Sequence, residues 1–255
     1  MVLEMNSKGQ LTIFIILGIA LLIVLVVLFS DRNFVSIFIP KTPVGQIEDC
    51  MLDSLGEGVE IIGKQGGSIS PENYYLYKDD KIEYICYAEE NYEGCVNQKP
   101  LLRESVEKEL EEYVRPKIVE CVKEVESITE GMSYKDPEVD VDVVLGDVIL
   151  DVKLDLKIEN GENTEFYKNI KIDVNSKLYE FVIVAMRLVN IEAEYGDAHV
   201  DGYMFQDKNL KVEKIKQGDG STLYILNNRN KEEKFQFAVR SHVVPPGKIE
   251  IEKFR

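Results

Sequence analysis

Tryptophan is absent from the 255 residues, histidine occurs only as His199 and His242, and the four cysteines never form a C-x-x-C pair. A zinc cluster built on that spacing is therefore excluded, and no metal or cofactor is expected. No Gly-x-Ser-x-Gly elbow positions a serine nucleophile, no calcium-loop spacing is present, and neither histidine has a base or orienting partner nearby in sequence. No catalytic residue is assigned, and a non-enzymatic chain is expected. Positive charge is also in deficit: the formal net charge is −16. Such a surface repels nucleic acid and anionic lipid, which removes both from the expected partners. Internal repeats and low-complexity segments are missing too.

Long apolar runs are equally scarce, with one exception. From residue 11 to residue 29 every side chain is apolar apart from Thr12 and Gly18. At about 1.5 Å per residue, such a helix reaches roughly 28 Å and matches one bilayer core. A cleaved secretory signal would have a shorter apolar stretch followed by small residues, whereas Ser30, Asp31, Arg32 and Asn33 follow here. The expectation is one uncleaved transmembrane helix, with the lipid bilayer as its partner. Lys8 on one side and Arg32 and Lys41 on the other leave orientation open on charge alone.

Cys50, Cys86, Cys95 and Cys121 all lie in the first half of the chain beyond the apolar run. An even number there suits two disulfides in an oxidising exterior, so the domain is expected outside the cytoplasm. Cys86 and Cys95 flank a short loop, while Cys50 and Cys121 each fall on an expected helix. The pairings 86–95 and 50–121 are therefore favoured among three. A bridge closing about 70 residues contributes roughly 4 kcal/mol in the chain-entropy picture.

Apolar periodicity sets out the elements. Ile47, Met51, Leu55, Val59 and Ile62 predict a helix over 46–64 that Gly66-Gly67 stops. Short strands follow over 76–87, with a turn at Asp79-Asp80 amid Tyr74, Tyr75, Tyr77, Tyr84, Tyr87 and Tyr92. These tyrosines read as a packed sheet face sooner than a ligand platform. A second helix spans 101–128, and Pro116 is expected to kink or divide it. From Val139 the period becomes two, giving one long strand through Ile158. Its partner holds Phe166, Ile170, Ile172 and Val174. A three-residue loop, Asn160-Gly161-Glu162, sets Leu156 opposite Phe166, Val152 opposite Ile170 and Leu150 opposite Ile172.

Asn175 or Ser176 caps a further helix that runs to Tyr195 and is expected to cover this hairpin. Strands near 209–216, 222–226 and 234–240 follow, then a last one at 248–254. Asp147, Asp151 and Asp155 fall on the solvent face of the long strand, beside Lys153 and Lys157. The reading is α+β: a leader or tail (1–9), a transmembrane helix (10–30), a stalk (31–45), a helical region with four cysteines (46–135), and an antiparallel sheet with one helix (136–255).

Two segments carry motif-like spacings. Gly58 to Lys64 has the pattern G-x-x-x-x-G-K, yet it lies on a helix, holds bulky Ile61 and Ile62, and is followed by Gln65 where magnesium binding needs Ser or Thr. Nucleotide binding is not assigned. Lys8-Gly9-Gln10-Leu11-Thr12-Ile13-Phe14 resembles the processing site of archaeal type IV pilin-like proteins, which carry a class III signal peptide. The resemblance covers about 25 residues and implies cleavage between Gly9 and Gln10, an apolar helix kept as anchor, and self-association into a filament. It departs at the fifth mature position, where the family's acidic residue is Phe14 here. The segment Gly58–Ile69, with Gly63-Lys64-Gln65-Gly66-Gly67-Ser68-Ile69, together with the later cysteines, is similar to uncharacterised membrane-anchored archaeal proteins and implies no activity. The expected function is a membrane-anchored surface protein with a structural or interaction role, a pilin-like subunit. The alternative is a monomeric anchored domain that binds a surface partner or small ligand.

Overall fold

A computed structural model describes residues 16–22, 41–161 and 163–243. Residues 16–22 are helical and exposed. The rest of the expected membrane helix, the Gly9–Gln10 junction, residues 31–40 of the stalk and the strand at 248–254 lie outside the described residues. Among those described, no helix is long and apolar enough to cross a membrane. The chain divides at Gly45, and one compact unit from Gln46 onward holds every strand among the described residues.

Helix α1 (Pro43–Gln65) starts earlier than its apolar stripe. Thr42 Oγ1 accepts the Gly45 N–H at 3.1 Å, and Pro43 takes the first helical position, where its missing N–H costs nothing. The end of the expected stalk is thus the first turn of α1. Helix α2 (Leu102–Ile128) runs unbroken through Pro116, so of the kink or division expected there the division does not occur. Its buried stripe, from Leu102 through Val106, Leu110 and Val114 to Val125, supplies packing that outweighs the local proline penalty.

Two sheets form. The first has strands β1 (Tyr74–Tyr77), β2 (Asp80–Tyr87), β3 (Val96–Asn97), β8 (Leu210–Lys216), β9 (Ser221–Asn228) and β10 (Glu233–Arg240), in the order β1-β2-β10-β9-β8 with β3 also on β2. It is mixed rather than antiparallel, because β10 runs parallel to β2. It also joins strands from both sides of the expected boundary near residue 135. The β1–β2 turn is Lys78-Asp79, both at positive φ, one residue earlier than expected.

The second sheet has β4 (Met132–Ser133), β5 (Glu138–Val144), β6 (Asp147–Asn160) and β7 (Asn163–Asn175). The stretch read as one strand from Val139 is therefore a hairpin, β5–β6, turning at Leu145-Gly146. Strands β4 and β5 share one edge of β6, and β7 takes the other. The β6–β7 register places Leu150 opposite Ile172 and Val152 opposite Ile170, as expected. Nearer the turn it shifts by one, so that Leu156 faces Tyr167 and Lys157 faces Phe166. A bulge at Leu154-Asp155, with Asp155 at φ 42°, inserts the extra residue. Leu156 and Ile158 stay buried, and Phe166 is left 70% exposed.

Helix α3 (Leu178–Tyr195) ends on Gly196 in the left-handed region, and short α4 (Asp201–Gln206) follows. Ser176 Oγ accepts the Leu178 N–H at 3.0 Å. Rather than covering the hairpin alone, α3 lies against β10, β2, β3 and α2 as well as β5 and β6. Helix α2 runs along β5.

Candidate functional site

The cysteines come together in pairs. Cys50 of α1 is bonded to Cys121 of α2 with Cα atoms 6.0 Å apart, and Cys86 of β2 to Cys95 with Cα atoms 5.3 Å apart. The first bridge clips two helices whose apolar stripes face each other. The second closes the loop that follows β2. That loop is further pinned by residues after β10: the His242 N–H donates to Glu93 O at 2.7 Å, the Tyr92 N–H to Val243 O at 3.0 Å, and the Cys95 N–H to Ser241 Oγ at 3.0 Å.

Tyr75, Tyr77, Tyr84 and Tyr87 gather on one face of the six-stranded sheet, while Tyr74, next to Tyr75 on β1, alternates to the other. Along β10, Phe235 and Phe237 point one way and Ala238 the other, where it joins Ile82, Tyr84 and Leu223 in a small separate core. Tyr75, Tyr77 and Tyr87 pack half-buried against it. Tyr84 and Tyr87 meet edge to face with ring centroids 5.0 Å apart, and the Tyr84 hydroxyl and Ser221 Oγ are 2.7 Å apart. Burial pushes the Tyr84 hydroxyl above its ordinary range despite that bond. The cluster is thus largely a packed sheet face, with Tyr92 exposed at its margin.

The remaining candidates stay apart. Among the described residues neither imidazole makes a hydrogen bond or ion pair, and no group of three or more His, Cys, Asp or Glu side chains is arranged to hold a metal ion. His242 is instead clamped between Gly94 and Gly196. On β6, Asp155 pairs with Lys135 at 2.6 Å, which holds its carboxyl below the ordinary range, and Asp151 accepts from Asn169 at 3.2 Å. The G-x-x-x-x-G-K segment lies in α1, and its glycines serve packing: a Cβ at Gly58 would meet the Tyr113 and Leu110 side chains and one at Gly63 would meet Lys234 O, while Gly66 and Gly67, beyond the segment, end the helix with φ of 77° and 94°. The following residues form a junction. Ser68 Oγ and the Ile69 N–H bind Glu109 of α2, and Lys99 reaches both Ser68 Oγ and Glu83, each at 2.7 Å.

Two polar assemblies were not legible in the sequence. Glu192, only 2% exposed, accepts from Tyr224 Oη, from the Ala198 N–H at 3.0 Å and from Lys214 Nζ at 3.0 Å. Burial and then the Glu192 carboxylate push the Tyr224 hydroxyl far upward, keeping it a neutral donor. Glu192 falls on the buried stripe of α3 with Leu188 and Val189, but nothing in the sequence names its partners. The second assembly borders a cleft of about 590 Å³ between α1, the start of α3 and the β9–β10 turn, lined by Val59, Lys64, Asn175, Phe181, Asn228 and Lys231 among others. There Glu233 accepts from Ser176 Oγ, from the Lys177 N–H at 2.7 Å and from Asn228 Nδ2 at 3.2 Å. Lys64 pairs with Glu60, and Lys231 binds Asn175. Apart from Glu232, the polar side chains of the lining are engaged with protein partners, so the cleft reads as a seam between elements. No protein-family model, no curated protein and no solved structure matches the chain.

Proposed function

We propose that this chain is a non-enzymatic, membrane-anchored surface protein, a type IV pilin-like subunit whose disulfide-bonded domain stands outside the cytoplasm. The observation that carries the reading is Lys8-Gly9-Gln10 abutting an apolar run that extends to Phe29. A helix of that length suits retention in a bilayer after cleavage before Gln10. Two disulfides in the domain support an oxidising exterior, since such bonds persist where thiols are not kept reduced. Mass spectrometry of the native N-terminus tests the processing step: the expected mature chain begins at Gln10, and an intact Met1 or Val2 removes the proposal. Protease treatment of whole cells tests the orientation, with digestion of the domain expected before lysis.

A second reading is an anchored monomer that binds an external partner or small ligand. It is favoured by Tyr92 and Val96, 54% and 67% exposed beside the Cys86–Cys95 loop. Recovery of the chain as a major component of purified filaments decides for the first reading.

A further inference from the structure

We propose that strand β7 is a self-association edge, pairing antiparallel with β7 of a second copy of this chain. The proposal stands independently of the anchor. Strand β7 is 13 residues long, and among the described residues it pairs only with β6. The opposite margin of the same sheet is treated differently: the outward N–H groups of Val141 and Val143 on β5 donate to Glu111 at 3.2 Å and Glu107 at 2.9 Å, side chains of α2. Among the described residues one edge is thus blocked and the other left open apart from Lys231 Nζ, 3.4 Å from Asn175 O at its end, which is the arrangement that favours strand addition.

Backbone direction and charge then select the partner. The Ser176 N–H donates to Gly146 O at 3.0 Å, so the even-numbered residues of β7 up to the bulge turn their amides toward β6. Asn169, Lys171 and Asp173 therefore direct theirs to the open edge. The strand carries Glu165 and Asp173 against Lys168 and Lys171, a net charge of zero on a chain of −16. Two copies that repel elsewhere approach here without local repulsion.

A two-fold axis normal to the sheet opposes residues of the same face. Centred on Ile170 it sets Phe166 against Val174, Tyr167 against Asp173 and Asn169 against Lys171, with no like charges opposed. Centred one residue earlier it sets Glu165 against Asp173; centred on Lys168 or Lys171 it sets that lysine against its copy. A centre on Ile172 sets Lys171 against Asp173 but leaves Phe166 without a partner on the strand; the Ile170 register gives exposed Phe166 an apolar neighbour, pairs more of the strand and fuses the two four-stranded sheets into one.

The test uses the full-length chain in mild detergent. Analytical ultracentrifugation is expected to give twice the monomer mass. The double variant Asn169→Cys, Lys171→Cys is expected to form a covalent dimer on mild oxidation, because opposed hydrogen-bonded residues have Cα atoms about 5.5 Å apart, within disulfide reach. Lys171→Pro removes an outward donor without touching the β6 ladder, and is expected to abolish the dimer with an unchanged circular dichroism spectrum. A monomeric wild-type chain, or a dimer that neither cross-links through the cysteine pair nor responds to the proline, overturns the proposal.

Discussion

A methyl group added at Gly63 of α1 would lie 2.3 Å from the carbonyl oxygen of Lys234, whereas one added at Gly56 of the same helix meets nothing within 4 Å. Gly63→Ala is therefore expected to push α1 from β10 and lower stability by about 2 kcal/mol. Gly56→Ala should raise stability by up to about 1 kcal/mol, because a helix-interior glycine gives way to the best helix former. Urea denaturation of the two variants reads the difference directly. The same measurement applies to Glu192. Its removal in Glu192→Ala leaves the Tyr224 hydroxyl and the Ala198 N–H without their acceptor, while Lys214 keeps Asp197 and Ala198 O. The expected loss is about 3 kcal/mol, since two buried donors are left unsatisfied.

At the scale of elements, the two disulfides should differ in worth. Cys50 and Cys121 are 71 residues apart and Cys86 and Cys95 only 9, so removing the first pair is expected to cost about 4 kcal/mol and the second about 3 kcal/mol in the chain-entropy picture. Thermal unfolding of the Cys50→Ala, Cys121→Ala and Cys86→Ala, Cys95→Ala chains ranks them. Helices α1, α2 and α3 were readable because their apolar stripes repeat at 3.6 residues, whereas short α4 buries no residue and gave no such signal; both cysteine pairs followed from stripe and loop. Strand β5 was not, because the alternation of Val139, Val141 and Val143 flows into that of β6 and Leu145-Gly146 is a faint turn signal. Nor could the bulge at Asp155 be anticipated, since it answers to the twist of a finished sheet. Sequence alone is equally silent on Glu107 and Glu111, whose exposed-face spacing hides a backbone contact with β5. Replacing both by Ala should free that edge and lower the concentration at which the chain aggregates, measurable by light scattering.

For the whole molecule, pH acts through carboxylates with opposite tendencies. Hydrogen bonds from Lys214 and Lys216 hold Asp197 below its ordinary range, and one from Lys177 does the same for Asp207. A depressed folded value contributes stability that is present above the unfolded value, about 3.9, and is lost as pH falls through the folded one. Glu107 runs the other way: burial holds its carboxyl high, so acid spares it. The expected net result is a lower denaturation midpoint at pH 3 than at pH 7, with a smaller drop in the Asp197→Asn, Asp207→Asn chain. No single-chain pattern could have disclosed the parallel β2–β10 pair, which unites residues some 150 positions apart and depends on the completed fold.

That pair also governs the order of events in biogenesis. While the chain is being made, β2 has only β1 and β3 for neighbours until residues 233–240 arrive, so the six-stranded sheet closes last. Non-local closure of this kind is slow. A chain that stops before β10 leaves β2 with an open edge, and the cell's quality control meets that edge before any assembly can.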